Sequence, residues 1–164
     1  MSSEVVARPA GYTGDEPPAP QPTAAGPARG VPGPIRRNGL FLLVLVLGIA
    51  LRALTQLAYQ PALLYVDSFR YLARVQILNP AQLDPLGYSV VLRPLLAIGG
   101  LGTVTLVQHV VGLLIGVLIY VLACRYGARR WLAGLAAAPI LLDGYQLQIE
   151  QNIMADVWME LFLV

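Results

Sequence analysis

From Gly39 to Ala58 the chain stays apolar for 20 residues, with only Arg52, Thr55 and Gln56 as polar interruptions. At 1.5 Å of rise per residue, about 20 residues span the ~30 Å hydrocarbon layer of a bilayer, so this run predicts a transmembrane helix. A second apolar run extends from Leu101 to Cys124 and is followed by Arg125, Arg129 and Arg130. A third, Trp131 to Leu147, is shorter and is interrupted by Pro139. A fourth opens near Ile153, and its apolar part, Trp158 to Val164, ends with the chain. The pattern predicts an all-α, polytopic membrane protein with three full spans and a truncated fourth, the N-terminal piece of a longer protein.

Between the first two spans, residues 59–100 carry their own pattern. Val66 to Leu78 reads as a short helix, with Asp67 available as its N-cap and Asn79-Pro80 as its end. At 100° per residue, Asp67, Arg70, Tyr71 and Arg74 fall on one face and Phe69, Leu72 and Ala73 on the other. Such a helix is expected to lie in the membrane interface with its apolar side down. A turn at Asp84-Pro85-Leu86-Gly87 leads into Val90–Ile98, which contains Arg93-Pro94 and is too short to cross. It predicts a second interfacial helix or a re-entrant segment.

Charge sets the orientation. Arg36 and Arg37 precede span one, and Arg125, Arg129 and Arg130 follow span two, so a hairpin puts both groups on the cytoplasmic side. The N-terminus is then cytoplasmic and loop 59–100 external. Asp67, Asp84, Glu150 and Asp156 fall at or near the external face. Residues 1–36 hold eight of the thirteen prolines and are rich in Ala and Gly. Such a segment buries too little apolar surface to offset its ordering entropy, which predicts a disordered tail.

Composition removes several classes of function. All eleven basic residues are Arg and none is Lys, a bias expected of GC-rich bacterial coding and hence of a bacterial plasma membrane. A net charge of +2 gives no footprint for nucleic acid. Without Lys there is no P-loop. Cys124 is the sole cysteine, so no intrachain disulfide forms, and its apolar neighbours suit a packing role.

Two short motifs carry a resemblance. Leu51-Arg52 near the end of span one is followed by Asp67-Ser68-Phe69-Arg70-Tyr71-Leu72-Ala73. Further on, Leu142-Asp143-Gly144-Tyr145-Gln146-Leu147-Gln148-Ile149-Glu150-Gln151 leads into Met154-Ala155-Asp156. In this order they resemble the bacterial, family-39-like members of the GT-C class, the membrane glycosyltransferases that use polyprenyl-phosphate-linked sugars. The first motif is similar to the Arg, acidic residue, aromatic and Ala around the first external loop. The second is similar to the junction between helices three and four. Many members carry two adjacent acids in the first loop, whereas Ser68 follows Asp67 here, which leaves the need for a second carboxylate and for a divalent metal open.

The resemblance implies sugar transfer from a lipid-linked donor to an acceptor on the external side. A carboxylate within reach of the acceptor hydroxyl can take its proton, and Asp67 is the candidate base. Its other role is the N-cap, worth about 1 kcal/mol. Charge growing on the leaving polyprenyl phosphate needs cations, for which Arg70, Arg74 and Arg93 are candidates; interfacial arginines also meet lipid head groups. Glu150, on a loop, and Asp156, at a helix start, become candidates for orienting the acceptor or supporting Asp67. Arg52 either snorkels outward or pairs with an external carboxylate. His109, alone in span two, suits a buried interhelical hydrogen bond better than a metal. Competing readings are a small transporter subunit using Arg52, His109 and Asp143 within the membrane, and a membrane protein without chemistry of its own.

Overall fold

A computed structural model describes residues 38–76 and 87–164, and the tail, the Asn79-Pro80 helix end and Asp84 lie outside these residues. The described residues form six helices: α1 (Gly39–Ala58), α2 (Val66–Gln76), α3 (Gly87–Arg125), α4 (Arg130–Leu142), α5 (Gly144–Gln151) and α6 (Asp156–Leu163). Among them there is no strand; Leu63 and Asn152 form one isolated parallel bridge.

Two of these helices, α1 and α3, are long and apolar enough to cross a membrane. The apolar run of α1 becomes a helix with the limits its sequence predicts. α3 is two helices in series, because Gly99 and Gly100 leave the helical region and Gly100 takes φ +71°. Only glycine adopts that conformation without a steric penalty. The break separates a short arm, residues 87–98, from a long arm, residues 101–125. The short arm is the segment expected to be interfacial or re-entrant, and the long arm is the second apolar run.

The third run ends earlier than its composition suggests. α4 spans 13 residues and stops at Leu142, where Asp143 is extended at φ −70° and ψ 131°. Pro139 stays inside α4 and its carbonyl accepts from Asp143 N–H at 3.0 Å. A proline removes only the hydrogen bond to the residue four before it, which a helix end tolerates better than its middle. The break therefore falls at Asp143 rather than at Pro139, and residues 144–151 form a separate helix. The apolar α6 starts at Asp156 rather than near Ile153.

Three apolar clusters hold the helices. Phe41 and Val44 of α1, Tyr120 of the long arm and Ala133, Ala137 and Leu141 of α4 form one. Within it the Phe41 and Tyr120 rings stack with centroids 3.8 Å apart. Tyr88 and Leu92 of the short arm, Val104 and Ile153 form the second, on which Tyr71, Leu72 and Val75 of α2 pack. Val111, Ile115 and Val157 form the third, joining the long arm to α6. The helices approach closely at glycines. A Cβ at Gly48 would stand 2.9 Å from the Leu141 carbonyl oxygen, and one at Gly116 would stand 2.5 Å from a Leu141 methyl. Gly112, one turn before Gly116, faces the Glu150 carboxylate. Small residues four apart let membrane helices meet at backbone distance, and here the space is taken by α4 and α5.

α2 presents a different face from the one its periodicity suggests. Ser68, Tyr71, Leu72 and Val75 face the protein, and the Tyr71 ring meets that of Tyr88 edge-on at 4.9 Å. Phe69 and Ala73 are exposed with Val66. An amphipathic stripe shows where apolar residues lie, and tertiary packing chose the stripe that includes a buried serine.

Candidate functional site

The polar residues within the apolar helices converge on one carboxylate. Glu150, in the last turn of α5, is 0% exposed. Its Oε1 accepts from Arg52 Nη2 at 2.5 Å, and its Oε2 lies 2.8 Å from His109 Nδ1. His109 Nε2 is 2.8 Å from Gln151 Oε1, and Gln151 Nε2 donates to Tyr59 O at 2.9 Å. Arg52 also donates to the carbonyls of Leu141 at 2.9 Å and Ile140 at 3.1 Å. Those carbonyls end α4 and lack intrahelical partners, so the guanidinium closes a helix terminus as well as an ion pair. One side chain of α1 thus ties down the end of α4 and the end of α5.

The same junction has a second clamp. Gln108, fully buried in the long arm, donates to Asn152 O at 2.8 Å and Glu150 O at 3.3 Å, and accepts from Tyr88 Oη at 3.0 Å. It serves the terminal carbonyls of α5 and holds the short arm to the long one across the glycine break. A buried charge of this kind is costly unless paired and hydrogen-bonded, and every member of the Arg52–Glu150–His109 set is both.

Glu150 therefore does not sit on a loop, nor as a solvated charge on a surface: it ends a helix and is enclosed. Arg52 takes the pairing role between its two expected ones. His109 makes the interhelical hydrogen bond expected of it. Asp143, grouped with Arg52 and His109 in the transporter reading, is exposed at the α4–α5 break. The signal for the Glu150 cluster was present in the chain: Arg52 and His109 are isolated polar groups in apolar helices, each needing a partner. The partner lies 98 residues from Arg52 and 41 from His109, a separation that no local pattern encodes.

Asp67 is arranged quite differently. α2 begins at Val66, so Asp67 occupies its second position and is not the N-cap. The cap is closed from Ser68, whose Oγ accepts from Tyr65 N–H at 3.0 Å, the third-position half of a capping box. The Asp67 carboxylate is 44% exposed and lies 3.5 Å from Arg70 Nη1, itself 61% exposed. Arg74 is half-buried in the last turn of α2, and Arg93 is exposed on the short arm.

Asp156, in the first turn of α6, lines a cavity of about 290 Å³ with Tyr65, Tyr145, Gln148, Asn152 and Met154. This cavity joins the two sequence motifs. Leu63 N–H donates to Gln151 O at 3.0 Å, and Ile153 N–H donates to Leu63 O at 3.3 Å. The bridge lies four residues before Asp67 in one strand of the pairing and four before Asp156 in the other. Glu150 is behind it, on the protein side.

A divalent metal does not fit the described residues. Among them, no three His, Cys, Asp or Glu side chains group to hold one, and Ser68, where a second acid would stand, is buried and engaged with Tyr65. Compared with family models, with characterised proteins and with solved structures, the chain has no match.

Proposed function

We propose that these helices belong to a membrane glycosyltransferase that moves a sugar from a polyprenyl-phosphate-linked donor to an acceptor at the external face. The observation that carries this reading is the Leu63–Asn152 bridge. It brings the first-loop motif and the α5–α6 motif, far apart in the chain, to the two sides of one cavity rim. In this proposal α1, the long arm of α3 and α4 are the crossing elements, the N-terminus is cytoplasmic, and α2 lies at the external surface of a bacterial plasma membrane.

The chemistry assigned to each residue follows from its exposure. Asp67, on the outer side of α2, takes the proton of the acceptor hydroxyl as the new glycosidic oxygen–carbon bond forms. The donor's carbon–oxygen bond to phosphate breaks, and the electron pair leaves with the polyprenyl phosphate. Arg70 and Arg93, both exposed, meet that phosphate, with Arg74 behind them. Asp156, on the cavity wall, orients the acceptor. Glu150 supports the site from below by fixing the 150–153 junction and does not touch substrate. Because the donor set does not suit a metal, no step runs through one.

Asp67→Asn in the complete enzyme tests the assignment, as it preserves side-chain size while removing the proton acceptor. Transfer should fall by about 10²–10⁴-fold with insertion and folding unchanged. Full activity in that variant would falsify the base. For orientation, Ala73→Cys places a thiol on the exposed face of α2. A membrane-impermeant maleimide should label it in intact cells, and labelling only after permeabilisation overturns the external placement.

A second reading is favoured by the Arg52–Glu150–His109 cluster. Ionisable groups inside apolar helices commonly mark ion or proton pathways, which suits a transporter subunit. The two readings separate at one residue: a transport function is abolished by Glu150→Gln and indifferent to Asp67→Asn, the reverse of the transferase.

A further inference from the structure

The face of α1 opposite α4 does not close on the long arm of α3. Between them runs a crevice of about 370 Å³, with aliphatic walls from Ile49, Leu57, Leu106 and Val110. The outer parts of Leu57, Leu106 and Val110 are well exposed, so the crevice opens sideways rather than into the helix bundle. Its floor is polar. Arg52 and Gln56 line it, and each brings an atom that is buried and has no hydrogen-bond partner among the described residues: Arg52 Nε and Gln56 Oε1.

These two atoms are complementary. Arg52 uses both terminal nitrogens on Glu150 and on the carbonyls of Gly48, Ile140 and Leu141, leaving Nε–H as its remaining donor. Gln56 donates through Nε2 to Gly102 O at 3.1 Å, so its Oε1 is held as an acceptor. Arg52 is 97% buried, since only 3% of its surface is exposed, and its rotamer is locked by four acceptors. A buried donor and a buried acceptor left unpaired carry a desolvation penalty. At the depth of these helices no bulk water is available to remove it. Arg52 lies about one helical turn past the middle of the 20-residue α1, and Gln56 about two turns.

We propose that this crevice binds an uncharged lipid bearing a hydroxyl group, with its apolar body along α1 and the long arm. A hydroxyl accepts from Arg52 Nε–H and donates to Gln56 Oε1, which a hydrocarbon chain cannot do. A carboxylate or phosphate head fits less well, for two reasons. The Arg52 charge is already met by Glu150 at 2.5 Å, and a second anion would face both that carboxylate and the Gln56 oxygen. The opening is towards the bilayer, so the ligand arrives from the membrane and not from solution. The crevice lies away from Asp67 and Asp156, neither of which lines it, and the inference is independent of the transferase reading.

The test is photolabelling of the full chain in lipid nanodiscs with three diazirine probes of equal length: hexadecanol, hexadecane and hexadecanoic acid. The alcohol should crosslink within residues 49–57 and 106–113, and unlabelled hexadecanol should compete about tenfold better than hexadecane, the worth of one to two net hydrogen bonds. Gln56→Leu, close in volume and apolar, should reduce that preference to within about twofold. Val110→Trp, which fills the crevice, should lower labelling by all three probes. Equal competition by alcohol and alkane overturns the proposal and leaves a crevice filled by lipid tails or water. So does preference for the acid, which makes it an anion site, and so does an alcohol preference unchanged in Gln56→Leu.

Discussion

Two groups of charges in this protein contrast sharply. Arg52, Glu150 and His109 are enclosed, and every charged atom that meets another does so at 2.8 Å or less. Asp67 and Arg70 lie 3.5 Å apart on an outer helix face, half or more exposed. The first group joins α1, the long arm, α4 and α5; the second joins two residues one turn apart on a single helix. Burial makes the first pairing mandatory, because an unpaired charge there would be stranded without water. Exposure makes the second dispensable to folding, because water substitutes for either partner. A carboxylate that folding does not need is available for other work, whereas one held on both oxygens by neighbours is committed to structure.

Breaking the contrast at its strong end should give the largest effect. Glu150→Ala strands the Arg52 guanidinium and removes the partner of His109, and losing one member of a buried pair typically costs about 3–5 kcal/mol. Thermal unfolding in detergent should show a marked loss, and an unchanged midpoint would mean that the cluster is solvated after all. Next comes Gly112→Ala. A Cβ there falls on the Glu150 carboxylate, and overpacking of this kind costs about 1–3 kcal/mol. Gly112→Ala combined with Glu150→Ala should cost less than the sum of the two, since the second change removes the atoms the first collides with.

A smaller loss is expected at the glycine break. Gly100→Ala places a side chain at φ +71° in otherwise open space, so the penalty is conformational only, about 1–2 kcal/mol. The smallest effect belongs to the exposed pair. Asp67→Asn should shift stability by no more than about 0.5 kcal/mol, as for other surface substitutions. Equal destabilisation by Asp67→Asn and Glu150→Ala would erase the distinction between the two groups.

Much of the helical layout was legible from periodicity alone. The apolar run of α1 and that of the long arm are long, uninterrupted by turn residues, and end where the helices end. The Gly99-Gly100 pair sits where the second run was expected to begin, and glycine punctuation of that kind is a local signal. The stop at Asp143 was harder. Pro139 is the stronger breaker by composition, yet the helix passes through it, because its lost hydrogen bond falls one turn before the end. Ser68 closing the cap in place of Asp67 depended on a one-residue difference in the helix start, the kind of boundary that pattern resolves least well. The burial of Glu150 was not legible at all. Its neighbours Gln146, Gln148 and Gln151 give the segment a polar, solvent-like composition, and its partners come from two other helices.

The bridge between Leu63 and Asn152 bears on how this chain tolerates insertion and deletion. Connections between helices are ordinarily the places where a residue can be added or lost at little cost. Residues 152–155 have the polar, irregular look of such a place. Pairing with Leu63, however, fixes alternate residues to opposite sides: Gln151 towards His109 and Tyr59, Ile153 into the apolar cluster with Tyr88 and Leu92. Adding one residue ahead of Asn152 would exchange those directions, turning an amide into the apolar cluster and an isoleucine onto the imidazole. This connection is therefore as intolerant of a change in length as a strand inside a sheet.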